Sequence, residues 1–324
     1  MFRRSLAVYC ACEIDNILTL FVKDGILSKT AILFPGQGAQ TVGMGRELYD
    51  SSSRVRELYA HANEIVGYDL TKICLDGPAD ELDSTAQSQP AIFLTSLAAL
   101  EGLKDSDPKA LEDCVATTGL SLGEYTALVF AGVMSFDDGL RLVRMRGVAM
   151  QEAADERQGG MVSVIGLPVE TVAELCEKAG DSGAIQIANY LCPKNYVVSG
   201  ELSACEKLVE LAKEAGAIKL FPLAVAGAFH TPLMESAVEK MRPVIEGMIF
   251  STPVVPYISG VDAEFHSNPD EIKKILIRQI SAPVYWEDAM RRLLKDEVDS
   301  FYEVGPGRVL RGLMKRIDRS ATLN

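Results

Sequence analysis

Gly119-Leu120-Ser121-Leu122-Gly123 stands between an apolar run, Cys114-Val115-Ala116-Thr117-Thr118, and the helix-forming Tyr125-Thr126-Ala127-Leu128-Val129-Phe130. A chain that leaves a strand and enters a helix within so few residues must turn sharply. Glycines on either side of the serine let neighbouring backbone approach without a Cβ, and the hydroxyl is lifted to the positive end of the helix. That is the geometry of a nucleophile elbow, which serves covalent acyl chemistry. G-x-S-x-G alone also fits a plain glycine-rich turn; the flanking strand and helix favour the elbow.

The 324 residues, 48% of them hydrophobic, suffice for a full enzyme core, expected as one large domain with a smaller one. A net charge of -13 argues against nucleic-acid binding, which needs a basic surface to displace counterions. Seven scattered cysteines without C-x-x-C spacing fit a reducing compartment. The close pair Cys10 and Cys12 reads as incidental thiols rather than a metal site, and the three histidines form no metal-binding motif, so no catalytic metal is expected. The longest apolar candidate for a membrane span, near Ala91 to Leu100, is interrupted by Thr95 and Ser96. No membrane association is expected. Arg3 and Arg4 ahead of Ser5 to Cys12 faintly resemble a targeting peptide, while Glu13, Asp15 and Asp24 weaken that reading. Cytoplasm is the expected location, with an organelle as the alternative.

Ala31-Ile32-Leu33-Phe34 reads as a buried strand closed by the tight loop Pro35-Gly36-Gln37-Gly38. Helical patterns cover Gly45 to Val66 and Gln89 to Leu103, and Ser135-Phe136-Asp137-Asp138 caps another helix. This alternation predicts an α/β fold built on a parallel sheet. From Gly159 the rhythm becomes strand (Met161 to Ile165), helix (Pro168 to Lys178), strands (Ile185 to Asn189, Tyr196 to Ser199), helix (Ser203 to Ala215) and strand (Ile218 to Phe221). That βαββαβ order predicts a ferredoxin-like unit inserted into the larger domain. The larger domain resumes with a strand over Val254 to Ile258, a helix over Pro269 to Ile280 and a strand over Phe301 to Val304. The expected division is an N-terminal extension over 1–28, an α/β-hydrolase-like catalytic domain over 29–157 and 224–324, and the insertion over 158–223. A cleft between the two is the expected site.

A serine nucleophile needs a base. His61 lies on a helix-like polar face and His266 in a polar turn, whereas His230 follows Leu223 to Phe229 and precedes Thr231-Pro232-Leu233-Met234, a ring held in apolar surroundings. At about 100° per residue Arg146 falls among Leu142, Val143 and Met150, while Arg141 and Arg144 project elsewhere. Arg146 should therefore point inward and must find an anion. An internal Asp or Glu is one candidate; a substrate carboxylate gripped by a bidentate fork is the other.

Phe34-Pro35-Gly36-Gln37-Gly38, Gln89-Pro90, Gly119-x-Ser121-Leu122-Gly123-Glu124-Tyr125, Arg146-Gly147, Met150-Gln151, Ala228-Phe229-His230 and Glu303-Val304-Gly305-Pro306-Gly307 together resemble malonyl-CoA:acyl carrier protein transacylases, over about Lys29 to Arg316. The resemblance implies Ser121 as acylated nucleophile, His230 as general base then acid, and Arg146 as clamp on the malonyl carboxylate. It implies backbone N–H groups of Gln37 and Leu122 as oxyanion hole, a main-chain carbonyl at Gln279 orienting the histidine, and Gln89 lining the pocket. Phe229 would fill the space a methyl branch would take. Leu120, Leu191, Asn195 and Ala226 depart from residues common in the family, which touches pantetheine contacts and leaves the chemistry intact.

The implied reaction is ping-pong transfer from malonyl-CoA to acyl carrier protein, without a cofactor, serving fatty acid or polyketide synthesis. A thioesterase or esterase with the same elbow is the alternative. A monomer is expected. Arg308, Arg311, Lys315 and Arg319 form either a cationic face for the acidic carrier protein or a solvated C-terminal helix favoured by its dipole.

Overall fold

The computed structural model describes residues 28–223, 225 and 227–324. The targeting-peptide reading, the Cys10 and Cys12 pair, and Ala226 lie outside the described residues.

β1 (Thr30–Phe34) is buried along its whole length, as a strand covered on both faces must be. The helix expected over Gly45 to Val66 is two, α1 (Arg46–Ser51) and α2 (Ser53–Val66). Ser52 between them takes an extended conformation and its Oγ accepts from the Val55 N–H, so it ends one helix and caps the next. The short helices α3 (Leu70–Asp76) and α4 (Ala79–Asp83) lack the length that makes periodicity readable. α5 (Thr85–Ser106) starts a turn before the expected Gln89 and carries Pro90 within it. After α6 (Pro108–Glu112) come β2 (Cys114–Gly119), α7 (Gly123–Phe130) and α8 (Phe136–Glu156). Ser135 Oγ accepts from the Asp138 N–H at 3.1 Å, as its spacing predicts.

β3 (Gly159–Ile165), α9 (Val169–Ala179), β4 (Ile185–Cys192), β5 (Asn195–Glu201), α10 (Leu202–Glu214) and β6 (Lys219–Pro222) follow the predicted βαββαβ order. They form a four-stranded antiparallel sheet ordered β4-β5-β3-β6. Its own core joins Val162, Val164 and Val198 to Val172, Leu175 and Leu208 of the two helices.

The chain then runs through α11 (Glu235–Gly247), β7 (Tyr257–Ile258), β8 (Phe265–His266), α12 (Pro269–Gln279), α13 (Trp286–Lys295), β9 (Ser300–Glu303), α14 (Val309–Ile317) and β10 (Thr322–Leu323). The strand expected over Val254 to Ile258 shrinks to its last two residues: Pro253 and Pro256 have no N–H for a ladder, and Val254 is 80% exposed. The larger sheet is ordered β10-β9-β1-β2-β7-β8 and parallel except for β8. β1 and β2 lie side by side in it and end together, Phe34 opposite Gly119. The space beyond their carboxyl ends is where such sheets place a site. The smaller sheet is tied to it by Tyr190 N–H donating to Val284 O (2.9 Å) and Val284 N–H to Ala188 O (2.8 Å). Among the described residues no helix is long and apolar enough to cross a membrane.

Candidate active site

The elbow forms as its glycines predict. Ser121 sits at φ 53°, in the left-handed region, immediately ahead of α7. A Cβ on Gly119 would lie 2.0 Å from the Gly123 carbonyl carbon, one on Gly123 2.0 Å from Phe34 O, and one on Gly36 2.2 Å from Leu120 O. Real Cβ atoms never approach so closely, so all three positions require glycine. The same contacts press the Pro35-Gly36-Gln37 loop against the elbow. Neither the Gln37 N–H nor the Leu122 N–H has an acceptor among the described residues. Two free amides beside the serine hydroxyl are the arrangement an oxyanion hole would need.

Ser121 Oγ is 2.7 Å from His230 Nε2. His230 Nδ1 lies 2.9 Å from Gln279 O and 3.1 Å from Ala282 O. Carbonyls only accept, so Nδ1 carries the proton and Nε2 presents its lone pair to the serine hydroxyl. The ring is buried, and that burial, followed by the Arg146 charge, lowers its pKa to about 4, against the upward pull of the two carbonyls. It is neutral at physiological pH, which is the form a base must have.

Arg146 is buried at 1% exposure, as its phase on α8 requires, while Arg141 and Arg144 are exposed. Nη1 donates to Gln89 Oε1 (2.8 Å), and Nη2 donates to Gln279 Oε1 (3.1 Å) and Ser121 Oγ (3.0 Å). The guanidinium lies 5.0 Å from the centre of the Tyr125 ring. Its Nε has no partner. All the hydrogen-bonding partners are neutral, and none of the ion pairs among the described residues involves Arg146. Burial pulls its pKa down, but an arginine stays charged. An internal acid in direct contact, the first of the two anions considered, is therefore not what the structure holds.

Gln279 does more than the main-chain carbonyl suggested. Its side-chain Nε2 donates to Ser121 O (2.9 Å) and to Glu124 Oε2 (2.6 Å), so one residue touches serine, histidine and arginine. Gln186 of β4 was not foreseen either: its Nε2 donates to His230 O at 2.9 Å, bringing the smaller sheet to the site. Gln89 is fully buried and also meets Met150 Sδ at 3.5 Å. Phe229 is buried in the main core beside the histidine.

The other histidines behave as their surroundings predict. His61 is exposed and pairs with Asp137, and His266 pairs with Asp262. Of the basic series near the C-terminus, Arg311 and Lys315 lie on α14, whereas that helix ends at Ile317 and leaves Arg319 beyond it. The four do not form one helical face.

The acyl transferase domain family matches residues 32–321 of the chain. The chain is 40% identical over 294 residues to the malonyl CoA-acyl carrier protein transacylase of Bacillus subtilis, covering 90% of this chain and 92% of the relative. It is 40% identical over 304 residues to the mitochondrial malonyl-CoA-acyl carrier protein transacylase of Homo sapiens, covering 90% and 78%. The solved acyl carrier protein S-malonyltransferase of Vibrio cholerae superposes with a TM-score of 0.86 at 37% identity, over 91% of this chain and 96% of that one. A malonyl-transacylase solved with a type II PKS acyl-carrier protein gives 0.88 at 37%, over 91% and 95%. The chain belongs to the acyl transferase domain family, and within it to the malonyl-CoA:acyl carrier protein transacylases.

Proposed function

We propose that this protein moves a malonyl group from malonyl-CoA to the phosphopantetheine thiol of acyl carrier protein through a malonyl ester on Ser121. The observation that carries the reading is a buried arginine without a contacting carboxylate, 3.0 Å from a serine that is itself bonded to a neutral histidine. His230 Nε2 takes the Ser121 proton as Oγ attacks the thioester carbonyl. The amides of Gln37 and Leu122 hold the developing oxyanion; losing one such donor lowers the rate by about 10²- to 10³-fold. The tetrahedral adduct collapses, His230 returns the proton to the departing sulfur, and coenzyme A leaves. The carrier thiol then attacks the ester with His230 again as base. Arg146 exchanges its contact with Ser121 for the malonyl carboxylate, and Phe229 closes the pocket to a branch at the malonyl carbon.

Residues 29–157 with 224–324 act as the catalytic domain and 158–223 as an inserted unit, a division supported by the separate antiparallel sheet. The product serves fatty-acid chain building, with polyketide assembly as the alternative. The family includes mitochondrial members, so an organelle competes with the cytoplasm as location. A thioesterase would share the elbow but release free acid, and the inward guanidinium favours a charged acyl group over a neutral one.

Intact mass after brief mixing with malonyl-CoA or acetyl-CoA tests this. The native chain should gain a malonyl adduct, Ser121→Ala none, and Arg146→Ala should lose its preference for malonyl. Equal labelling of the native chain by acetyl would sink the clamp, and free malonate formed without carrier protein would favour the thioesterase.

A further inference from the structure

Glu124 is a fully buried carboxylate that the transfer mechanism leaves without a role. Its Oε1 accepts from the Tyr257 hydroxyl and from Ser259 Oγ (2.8 Å), and its Oε2 accepts from Gln279 Nε2 (2.6 Å). The amide NH2 can only donate, so Oε2 carries no proton, and the two hydroxyls are placed to donate to Oε1; that arrangement of three donors suits the anion. Burial, the largest effect, holds the Glu124 carboxyl above the ordinary carboxylate range against the downward pull of its three side-chain donors, and the neighbouring Tyr257 is pushed well above the ordinary tyrosine range, so that hydroxyl keeps its proton.

The other end of the same amide faces Arg146: Gln279 Oε1 accepts from Nη2 at 3.1 Å. The order is guanidinium, amide oxygen, amide NH2, carboxylate. An amide can be turned end for end at little energetic expense unless something fixes it; here the Ser121 carbonyl and the Glu124 carboxylate both accept from the NH2 end, the carboxylate at the shorter distance. A buried cation with no anion nearby would be penalised by several kcal/mol. An anion in direct contact would compete with the substrate for the same donors.

We propose that Glu124 is a positioning residue for the acyl-carboxylate clamp: it holds the Gln279 amide with its NH2 toward itself and its oxygen toward Arg146, balancing the guanidinium one amide away and leaving it open to the substrate's carboxylate. This rests on the malonyl-transfer reading. It assigns the charge of Glu124 to recognition of the acyl group rather than to the proton transfers at Ser121.

The test is Glu124→Gln, which keeps shape and removes charge, assayed for kcat and KM with malonyl-CoA and with acetyl-CoA. Loss of one charge-assisted contact in the clamp should raise KM for malonyl-CoA by about tenfold and leave acetyl-CoA within about twofold. In an Arg146→Ala background the same substitution should add no further loss with malonyl-CoA. Equal falls for both acyl groups in folded protein, or an unchanged ratio, would overturn the assignment. If Glu124→Gln does not fold, Tyr257→Phe and Ser259→Ala disturb the carboxylate from the side away from Arg146. Each should lower the malonyl-to-acetyl ratio by about threefold, and an unchanged ratio in the folded variants overturns the proposal equally. Native protein that takes no malonyl group at all would instead defeat the transfer reading itself, so the two failures are distinct.

Discussion

Ser121 and His230 share a backbone conformation that few residues with a side chain adopt, φ 53° and 60°, yet the two are held there by different means. The serine is fixed locally. Glycines on both sides allow β2, α7 and the end of β1 to close on it at distances no Cβ would permit. The histidine is fixed from far away: Gln186 donates to its carbonyl from the smaller sheet, while Gln279 at the end of α12 and Ala282 just beyond it accept from its ring. A strained residue persists only where its surroundings over-determine it. The turn that strains the serine is marked by glycines within five consecutive positions, although Phe34 and Gln279 also touch it, and the histidine's restraints come from stretches of chain that carry no such mark.

That difference can be broken on the serine side first. Gly123→Ala puts a Cβ against the Phe34 carbonyl, a backbone atom that cannot move without shifting β1. Stability should fall by about 3 kcal/mol, in the range of overpacked cores. Displacing the elbow by even about 1 Å should slow malonyl labelling on the order of 10²-fold. Thermal unfolding and single-turnover labelling check both, and native-like values would mean that the elbow tolerates a wider turn.

The histidine side is sharpened by pH. With its pKa held down to about 4, the ring stays neutral where an exposed imidazole would charge. The labelling rate at pH 5.5 should match its pH 7 value, whereas an ordinary histidine would leave about one-tenth of it. Stability carries the same signature with a definite sign. Between about 6.5 and 4 the unfolded chain binds a proton at this residue and the folded chain does not, so this contribution is full above 6.5 and is lost as pH falls across that window. A rate that halves near pH 6.5 would show that the ring is not insulated.

The smallest effect is expected from Gln186→Ala. It removes one of several restraints on His230, so kcat should drop about threefold with KM unchanged. A loss as large as that from Gly123→Ala would mean that the smaller sheet, and not the ring's two carbonyl partners, sets the histidine's position.

Ser121, His230 and Arg146 were legible because local pattern marks them, whereas Gln37, Leu122, Gln89, Phe229 and Gln279 were named only through the family resemblance. The glycines declare a turn, the phase of α8 turns Arg146 inward, and apolar neighbours bury His230. Gln279 was found for its carbonyl, while its side chain, which joins three parts of the site, carried no local mark. Glu124 in the first turn of a helix reads as an ordinary favourable acid on a solvated end. Only the packing of β7 and α12 against that turn makes it a buried charge. The strand over Val254 to Ile258 failed for the opposite reason: its β-branched residues matched the pattern, and prolines removed the donors a ladder needs.

The βαββαβ segment, the glycine-flanked elbow and the inward arginine were legible in the sequence alone, because each depends on periodicity or backbone freedom within a few residues. Tertiary structure alone decided that Arg146 meets only neutral partners, that its balancing carboxylate stands one amide away, and that a glutamine from the smaller sheet steadies the histidine. Charges and hydrogen bonds between residues from separate elements depend on which groups share a dry interior, and that is fixed only when the sheets close on one another.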